Sequence, residues 1–122
     1  MKNIYILFLV IPILVLGQSQ NYIKSTTYKV ETDSSIEEPL PNQATVTIQY
    51  FDGLGRPIQQ VAHKQSNTGK DIIVHTEYDE FGRQVKEYLP YVRSAASMDF
   101  DDSGLSSVTT FYGSNSIELT GN

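Results

Sequence analysis

The chain has 122 residues with 9 basic and 14 acidic side chains, a formal net charge of −5, and no cysteine. This acidic balance argues against nucleic acid as a partner, because phosphate binding needs clustered Lys and Arg. The lack of cysteine excludes disulfide staples, so stability has to come from packing or from neighbouring parts of a larger protein.

Residues 1–17 have the pattern of a secretory signal peptide. Lys2 supplies a positive charge, residues 4–16 form a mainly apolar run, and Gly17 ends it. This order predicts cleavage after Gly17 and export to the medium or the cell surface. An uncleaved anchor is the alternative, but a spanning helix needs roughly 20 apolar residues and this run has 13. Cleavage would leave a single small domain of 105 residues with net charge −6 and no stable membrane insertion.

Residues 18–43 are expected to form a polar lead-in and a loop. Residues 26–31 include β-branched and aromatic side chains, but their alternation is weak. Pro39 and Pro41 follow an acidic pair, a composition that suits neither a helix nor a central strand.

Residues 44–91 contain the clearest strand signals. Ala44, Val46, Ile48 and Tyr50 alternate with polar residues, a period of two that predicts a strand with one apolar face. Three further strands are predicted, each after a turn. They cover residues 56–63, 71–78 and 83–89, and the turns cover residues 51–55, 65–70 and 79–82. The fold class is therefore all-β, built of antiparallel hairpins.

Residues 92–122 are rich in Ser, Gly and Asp. A short helix over residues 92–98 is a weak prediction, and residues 107–112 are predicted as one more strand. Nothing in residues 114–122 is typical of a cap on a sheet, so we expect a truncated segment and a natural protein that continues.

Two hexamers are copies of one another at an offset of 27 residues, each with an aromatic residue, Asp, two variable positions, Gly and Arg. They are Phe51, Asp52, Gly55 and Arg56, and Tyr78, Asp79, Gly82 and Arg83. Asp accepts backbone N–H bonds across a turn, Gly supplies a positive φ, and Arg pairs with a carboxylate or stacks on a ring. Each copy therefore predicts a strand, a tight turn and a strand. Because the Asp–Arg pair recurs at each turn, we interpret it as structural, and we predict no enzyme activity and no cofactor.

This spacing resembles the YD repeat of exported bacterial RHS proteins. With the flanking Tyr88, Leu89, Pro90 and Tyr91, the resemblance to an uncharacterised N-terminal domain of those proteins covers residues 20–113. It implies a long β-sheet of hairpins that curls into a hollow shell, of which residues 44–91 would be the beginning. It also implies partners, namely downstream repeats of the same polypeptide and a C-terminal toxin or cell-surface component. The implied roles are display, adhesion or toxin encapsulation.

One acidic loop has the spacing that begins a calcium site. Asp99, Asp101 and Ser103 would supply the first three ligands, with Gly104 at the turn. The twelfth position is Thr110, where a bidentate Glu belongs. A solvated acidic loop is therefore the favoured interpretation, and no metal site is assigned.

Two further ligand hypotheses are open. His63 and His75 could face each other across a hairpin and hold zinc together with Glu77, although paired polar residues on an exposed sheet face are commoner. The eight tyrosines could stack on sugars, although cross-strand packing is their usual role in a sheet. A carbohydrate- or calcium-binding adhesive module is thus the alternative to a structural repeat.

Overall fold

The computed structural model describes residues 20–113, so the expected signal peptide lies outside the described residues. These residues form one antiparallel sheet of six strands and one short helix, which confirms the all-β prediction. The strands are β1 (Asn21–Tyr28), β2 (Ala44–Phe51), β3 (Pro57–His63), β4 (Ile72–Glu77), β5 (Lys86–Glu87) and β6 (Tyr91–Val92), and the helix is α1 (Gly104–Tyr112). The strand order is β1-β2-β3-β4-β5, with β6 also paired to β4.

The core lies on one face of the sheet. The apolar alternation of β2 is buried as predicted, and the strand register places Ile48 beside Val61 and Val61 beside Ile73. The chain after β6 crosses this face, and Tyr91 and Val108 complete the buried cluster. Burying a large apolar side chain contributes about 1.5–3 kcal/mol, so this single layer of side chains is the main source of stability.

The polar lead-in expected at the start of residues 18–43 is instead the strand β1. It pairs with β2 along its whole length, from Asn21 opposite Phe51 to Tyr28 opposite Ala44. Seven of its eight residues are exposed, so it has no apolar alternation to reveal it. Its position depends on the backbone ladder to β2, which sequence periodicity does not report.

In place of the fourth strand predicted at residues 83–89, the structure has two short strands, β5 and β6, of which β6 lies beyond the predicted end. β5 and β6 both pair antiparallel with β4, but the register shifts by one residue between Thr76 opposite Glu87 and Ile73 opposite Tyr91. The two short strands therefore form one edge strand that is interrupted by a bulge around Pro90. Proline lacks the N–H that a ladder needs, and it is tolerated at such an edge.

The predicted strand at residues 107–112 is wrong, because these residues belong to α1. Val108 is buried against the sheet, and Tyr112, four residues later in the helix, donates its hydroxyl to the carbonyl of Pro90. This i, i+4 spacing is helical, but five of the nine residues of α1 are Gly, Ser or Thr, which weakens the signal. The weakly predicted helix at residues 92–98 is also absent, since β6 covers its start and an irregular segment follows.

Within residues 20–113, no helix is long and apolar enough to cross a membrane.

Candidate functional site

The first repeat forms a turn that is closed by its own aspartate. The Asp52 Oδ1 accepts the backbone N–H groups of Leu54 and Arg56, each at 2.9 Å. Its Oδ2 accepts the Arg56 Nε at 2.7 Å. Two backbone bonds complete the turn, from Asp52 N to Arg56 O and from Gly55 N to Asp52 O. Gly55 has a φ of 76°, a conformation that favours glycine.

The second repeat reproduces this turn bond for bond. The Asp79 Oδ1 accepts the N–H groups of Phe81 at 3.0 Å and Arg83 at 2.8 Å, and Oδ2 accepts the Arg83 Nε at 2.9 Å. Gly82 also has a φ of 76°. The backbone bond donated by Arg83, together with its guanidinium, holds the pKa of Asp79 below its usual value, and Arg56 does the same for Asp52. Both carboxylates are therefore anions that hold their own turns.

A third turn has the same backbone without the carboxylate. Between β3 and β4, Ser66 N donates to Lys70 O, Gly69 N donates to Ser66 O, and Gly69 has a φ of 73°. The Ser66 hydroxyl accepts the Lys70 N–H at 2.8 Å. The sequence reading placed a turn here but did not recognise Ser-x-x-Gly-Lys as a variant of the same pattern. It lies at the opposite end of the sheet from the two Asp turns.

The two Asp turns contact each other through an arginine and a tyrosine. The Arg56 guanidinium of the first repeat lies 4.6 Å from the centre of the Tyr78 ring of the second. The Tyr78 hydroxyl donates to the carbonyl of Pro57 at 2.8 Å. A Cβ on Gly82 would lie 3.2 Å from the Arg56 Nη1, so the glycine also leaves room for this arginine. The predicted turn residues are thus brought together as one continuous surface at one end of the sheet.

Asp71 forms a second cluster that the sequence reading did not single out. Its side chain is fully buried and accepts four hydrogen bonds. Oδ1 accepts the His63 Nδ1 at 2.8 Å and the Lys64 N–H at 3.0 Å, whereas Oδ2 accepts the Arg93 Nη2 at 2.8 Å and the Met98 N–H at 2.9 Å. Burial raises the pKa of Asp71, but these donors outweigh it and hold the pKa below its usual value.

The Asp71 cluster ties the segment after β6 to the sheet. The Arg93 N–H donates to the Asp71 carbonyl, and the Arg93 Nη1 donates to the Asp99 carbonyl at 2.7 Å. Lys64 and Met98 have positive φ values of 53° and 63°, an uncommon conformation for residues other than glycine. Both donate their N–H groups to this carboxylate. The sequence signal that could have indicated a buried Asp71 is alternation, because residues 71, 73 and 75 share one face of the predicted strand and Ile73 on that face is apolar.

Residues 24–122 match the family described as a domain of unknown function, DUF6443. The chain belongs to the DUF6443 family. No curated protein and no solved structure matches it. The match begins within β1 and takes in both Asp turns and the Asp71 cluster.

In this DUF6443 domain, the middle residue of the calcium-like spacing, Asp101, uses its carboxylate in protein contacts. The Asp101 Oδ2 accepts the Tyr91 hydroxyl at 2.6 Å, and Oδ1 accepts the Ser103 N–H at 2.9 Å. The backbone of Asp101 is also paired at both groups with the side-chain amide of the buried Gln59. Residues 101–103 therefore fasten the start of α1 to the sheet, and the Asp99 carbonyl accepts Arg93.

The two histidines of the less favoured zinc hypothesis are not opposite one another. His75 is opposite Gln59 in the ladder, whereas His63 is opposite Val46 and lies four residues further along β3. The Glu77 carboxylate accepts the Tyr88 hydroxyl at 2.6 Å. Across residues 20–113, no group of three or more His, Cys, Asp or Glu side chains is placed to hold a metal ion.

An open groove of about 610 Å³ lies between β6 and α1. Its lining includes hydroxyl groups, three charged side chains and the half-exposed Phe111 ring; among these residues are Ser103, Ser106, Ser107, Thr110, Arg93, Asp101 and Asp102. Among the tyrosines considered for sugar stacking, Tyr50 and Tyr91 belong to the core, and Tyr91 borders the groove as a buried side chain. Packing is therefore the observed role of these two rings.

Proposed function

We propose that this DUF6443 domain is a structural N-terminal module of a secreted or surface RHS/YD-repeat protein, acting in display, adhesion or toxin encapsulation. The observation that supports this most directly is the contact between two equivalent turns, in which Arg56 stacks on Tyr78. A pair of residues that recurs with the same hydrogen bonds serves the architecture of a repeat. The proposal assigns no catalytic step to these residues.

The repeat contact supports a scaffold because it links one hairpin to the next. An isolated hairpin is marginally stable in water, and repeated units gain stability from the interface with their neighbours. Here the first hairpin, β2 with β3, presents an arginine, and the second, β4 with β5, presents an aromatic ring to it. Further copies could make the same arginine–aromatic contact at the next turn.

The N-terminal position and the export belong to the same proposal. β1 precedes the first repeat and pairs with β2 over its full length, so the first hairpin has a neighbour on its outer side. Terminal units of repeat proteins are commonly atypical and act as caps. The apolar run of residues 4–16, read as a signal peptide, supports export.

The test is to recover the native protein with an antibody raised against residues 20–113. Cells of the source organism would be fractionated into medium, surface and cytoplasm, and the captured protein would be mapped by peptide mass spectrometry. We expect it in the medium or at the surface, starting at Gln18, with more aromatic-Asp-x-x-Gly-Arg units downstream. Retention in the cytoplasm, or a native protein without further units, would overturn the proposal.

The second candidate function is carbohydrate binding at the groove between β6 and α1. The hydroxyl-lined wall and the Phe111 ring, which is 49% exposed, favour this class of ligand. A glycan array probed with the domain should then give signals that Phe111→Ala abolishes and Phe81→Ala, a change at an exposed ring outside the groove, leaves intact. Equal loss from both variants, or no signal, would remove this candidate.

A further inference from the structure

We propose that the Arg83 turn is a docking point for the aromatic side chain of a third aromatic-Asp-x-x-Gly-Arg hairpin. This inference rests on the proposed function and names the partner of the same turn surface. The occupant is a hairpin whose leading ring stacks on the Arg83 guanidinium and whose hydroxyl, if it is tyrosine, donates to the Gln84 carbonyl.

The contact between the first and second repeats is the template. Arg56 stacks on Tyr78, and Tyr78 bonds to the carbonyl of Pro57, the residue after that arginine. An offset of 27 residues carries Arg56 to Arg83 and Pro57 to Gln84. The second turn has the same hydrogen bonds as the first, so it holds Arg83 relative to its backbone as the first turn holds Arg56.

The exposure of the two arginines differs in the way the proposal requires. The Arg56 side chain is 34% exposed beneath Tyr78, whereas the Arg83 side chain is 69% exposed. Arg83 lies 5.2 Å from the centre of the Phe81 ring of its own turn, and Phe81 is itself 74% exposed. An arginine beside an exposed ring is a surface on which a further ring can stack.

The first repeat shows that the stacking has a direction. Its leading aromatic is Phe51, which has no hydroxyl, and among residues 20–113 no cation lies over its ring. The second repeat has Tyr78, whose hydroxyl uses the carbonyl that the first repeat supplies. Phe51 thus leads the first repeat, which has no earlier Asp turn to contact. Arg83 closes the second repeat, so its guanidinium is the group that a following repeat can contact.

The edge of the sheet favours docking at the turn over docking along the strand. Among residues 20–113, β5 pairs with β4 alone, and the bulge at Pro90 interrupts the edge strand a few residues later. Proline and bulges at an edge disfavour strand addition. Residues 100–104 begin with Phe and Asp but continue to Leu105 instead of Arg, and Gly104 is the first residue of α1. The third hairpin therefore has to come from outside residues 20–113.

The test uses residues 18–122, which contain no third aromatic-Asp-x-x-Gly-Arg unit that could occupy the Arg83 turn, and a cyclised peptide of residues 72–88, whose own NMR spectrum must show the hairpin. The peptide carries Tyr78 as its leading aromatic. Adding it to the isotope-labelled chain at millimolar concentration should shift the Arg83 Nε–H and the Gln84 amide. The control peptide carries Tyr78→Leu, so the substitution is in the peptide and the labelled chain keeps its own sequence. This peptide should bind about two- to fivefold more weakly, the range expected for an exposed cation–π contact.

Equal binding of the Tyr and Leu peptides, or shifts at β1 instead of the turn, would overturn the docking site. So would the absence of shifts at millimolar peptide, since tethered units reach effective concentrations of about that size. On the protein side, Arg83→Lys keeps the charge but loses the planar stack, and it should weaken binding while Lys86→Arg should not. If the native protein has further repeats but the peptide does not bind, the proposed function stands and this inference fails. If the peptide binds but the native protein has no further repeats, the docking site stands and the proposed function fails.

Discussion

Replacing Asp71 by Asn should be among the most damaging single-atom changes in this domain. The carboxylate accepts four hydrogen bonds, two at each oxygen, and its side chain is fully buried. An amide keeps one oxygen and turns N–H groups toward the donors on the other side. Depending on its orientation, either the Lys64 N–H loses its acceptor, or the Arg93 Nη2 and the Met98 N–H both do. In both orientations the charged Arg93, whose side chain is 14% exposed, loses its anionic partner.

The magnitude follows from the number and type of these bonds. A hydrogen bond to a charged group contributes about 1.5–3 kcal/mol, and breaking a buried ion pair on one side costs about 3–5 kcal/mol. We therefore expect Asp71→Asn to lower the free energy of unfolding by about 3–5 kcal/mol. Small domains have roughly 5–15 kcal/mol in total, so the variant should be close to the limit of folding.

The assay is urea unfolding at pH 7, followed by circular dichroism of the sheet, with Asp33→Asn as the control. Asp33 is exposed, and the same chemical change there should stay within about 0.5 kcal/mol of the parent. The dependence of the unfolding free energy on urea should remain unchanged, which would show that two-state unfolding is kept. A loss of less than about 1 kcal/mol for Asp71→Asn would refute the idea that this carboxylate holds the segment after β6.

Three further predictions concern glycines and one histidine. Gly55→Ala and Gly82→Ala should each lower the unfolding free energy by about 1–2 kcal/mol because the φ of each glycine is positive. Gly82→Ala should cost more, since its Cβ would also contact Arg56. Gly53→Ala is the control, and melting temperatures equal to that of the control would contradict the prediction. Gly104→Ala should cost about 1–3 kcal/mol by overpacking, because its Cβ would lie 2.7 Å from the His75 Nδ1, and unchanged melting would show that α1 shifts freely. Burial lowers the pKa of His75 below 6.5, so melting temperature should fall as pH drops from about 7.5 to 5.5, and His75→Gln should flatten that slope; an unaltered slope would assign it to another group.

The sequence predicts the parts of this fold whose information is local. The turns are local, since Asp, Gly and Arg satisfy one another within five residues, and the predicted turns at residues 51–55 and 79–82 contain the Asp and the Gly of each. β2 is nearly local too, because its alternation survives in a strand with one buried face. Where these two signals coincide, at residues 44–56, the prediction and the structure agree in position and in side-chain role.

The parts that the sequence missed depend on partners distant along the chain. β1 is held by its ladder to β2, some twenty residues later, and leaves no apolar trace of its own. Asp71 reads as the first residue of an ordinary strand, because Arg93 and Met98, which donate to its carboxylate, lie more than twenty residues later. Residues 107–112 read as a strand because α1 consists largely of small polar residues and buries only Gly104 and Val108. Tertiary contacts override local preference in each case.

The charges of the domain imply two separate responses to acid. Lowering the pH toward the isoelectric point of about 4.8 reduces the net negative charge and its self-repulsion. His75 acts in the opposite sense, because its lowered pKa makes the unfolded chain bind the proton first as the pH falls through 6.5. The carboxylates of Asp52, Asp71 and Asp79 have lowered pKa values, so their contribution is kept above about pH 4 and is lost only as the pH falls through those values. Between pH 6.5 and 4 the turns and the Asp71 cluster therefore stay intact while the contact of His75 with the start of α1 weakens, and acid should loosen α1 before it opens the hairpins.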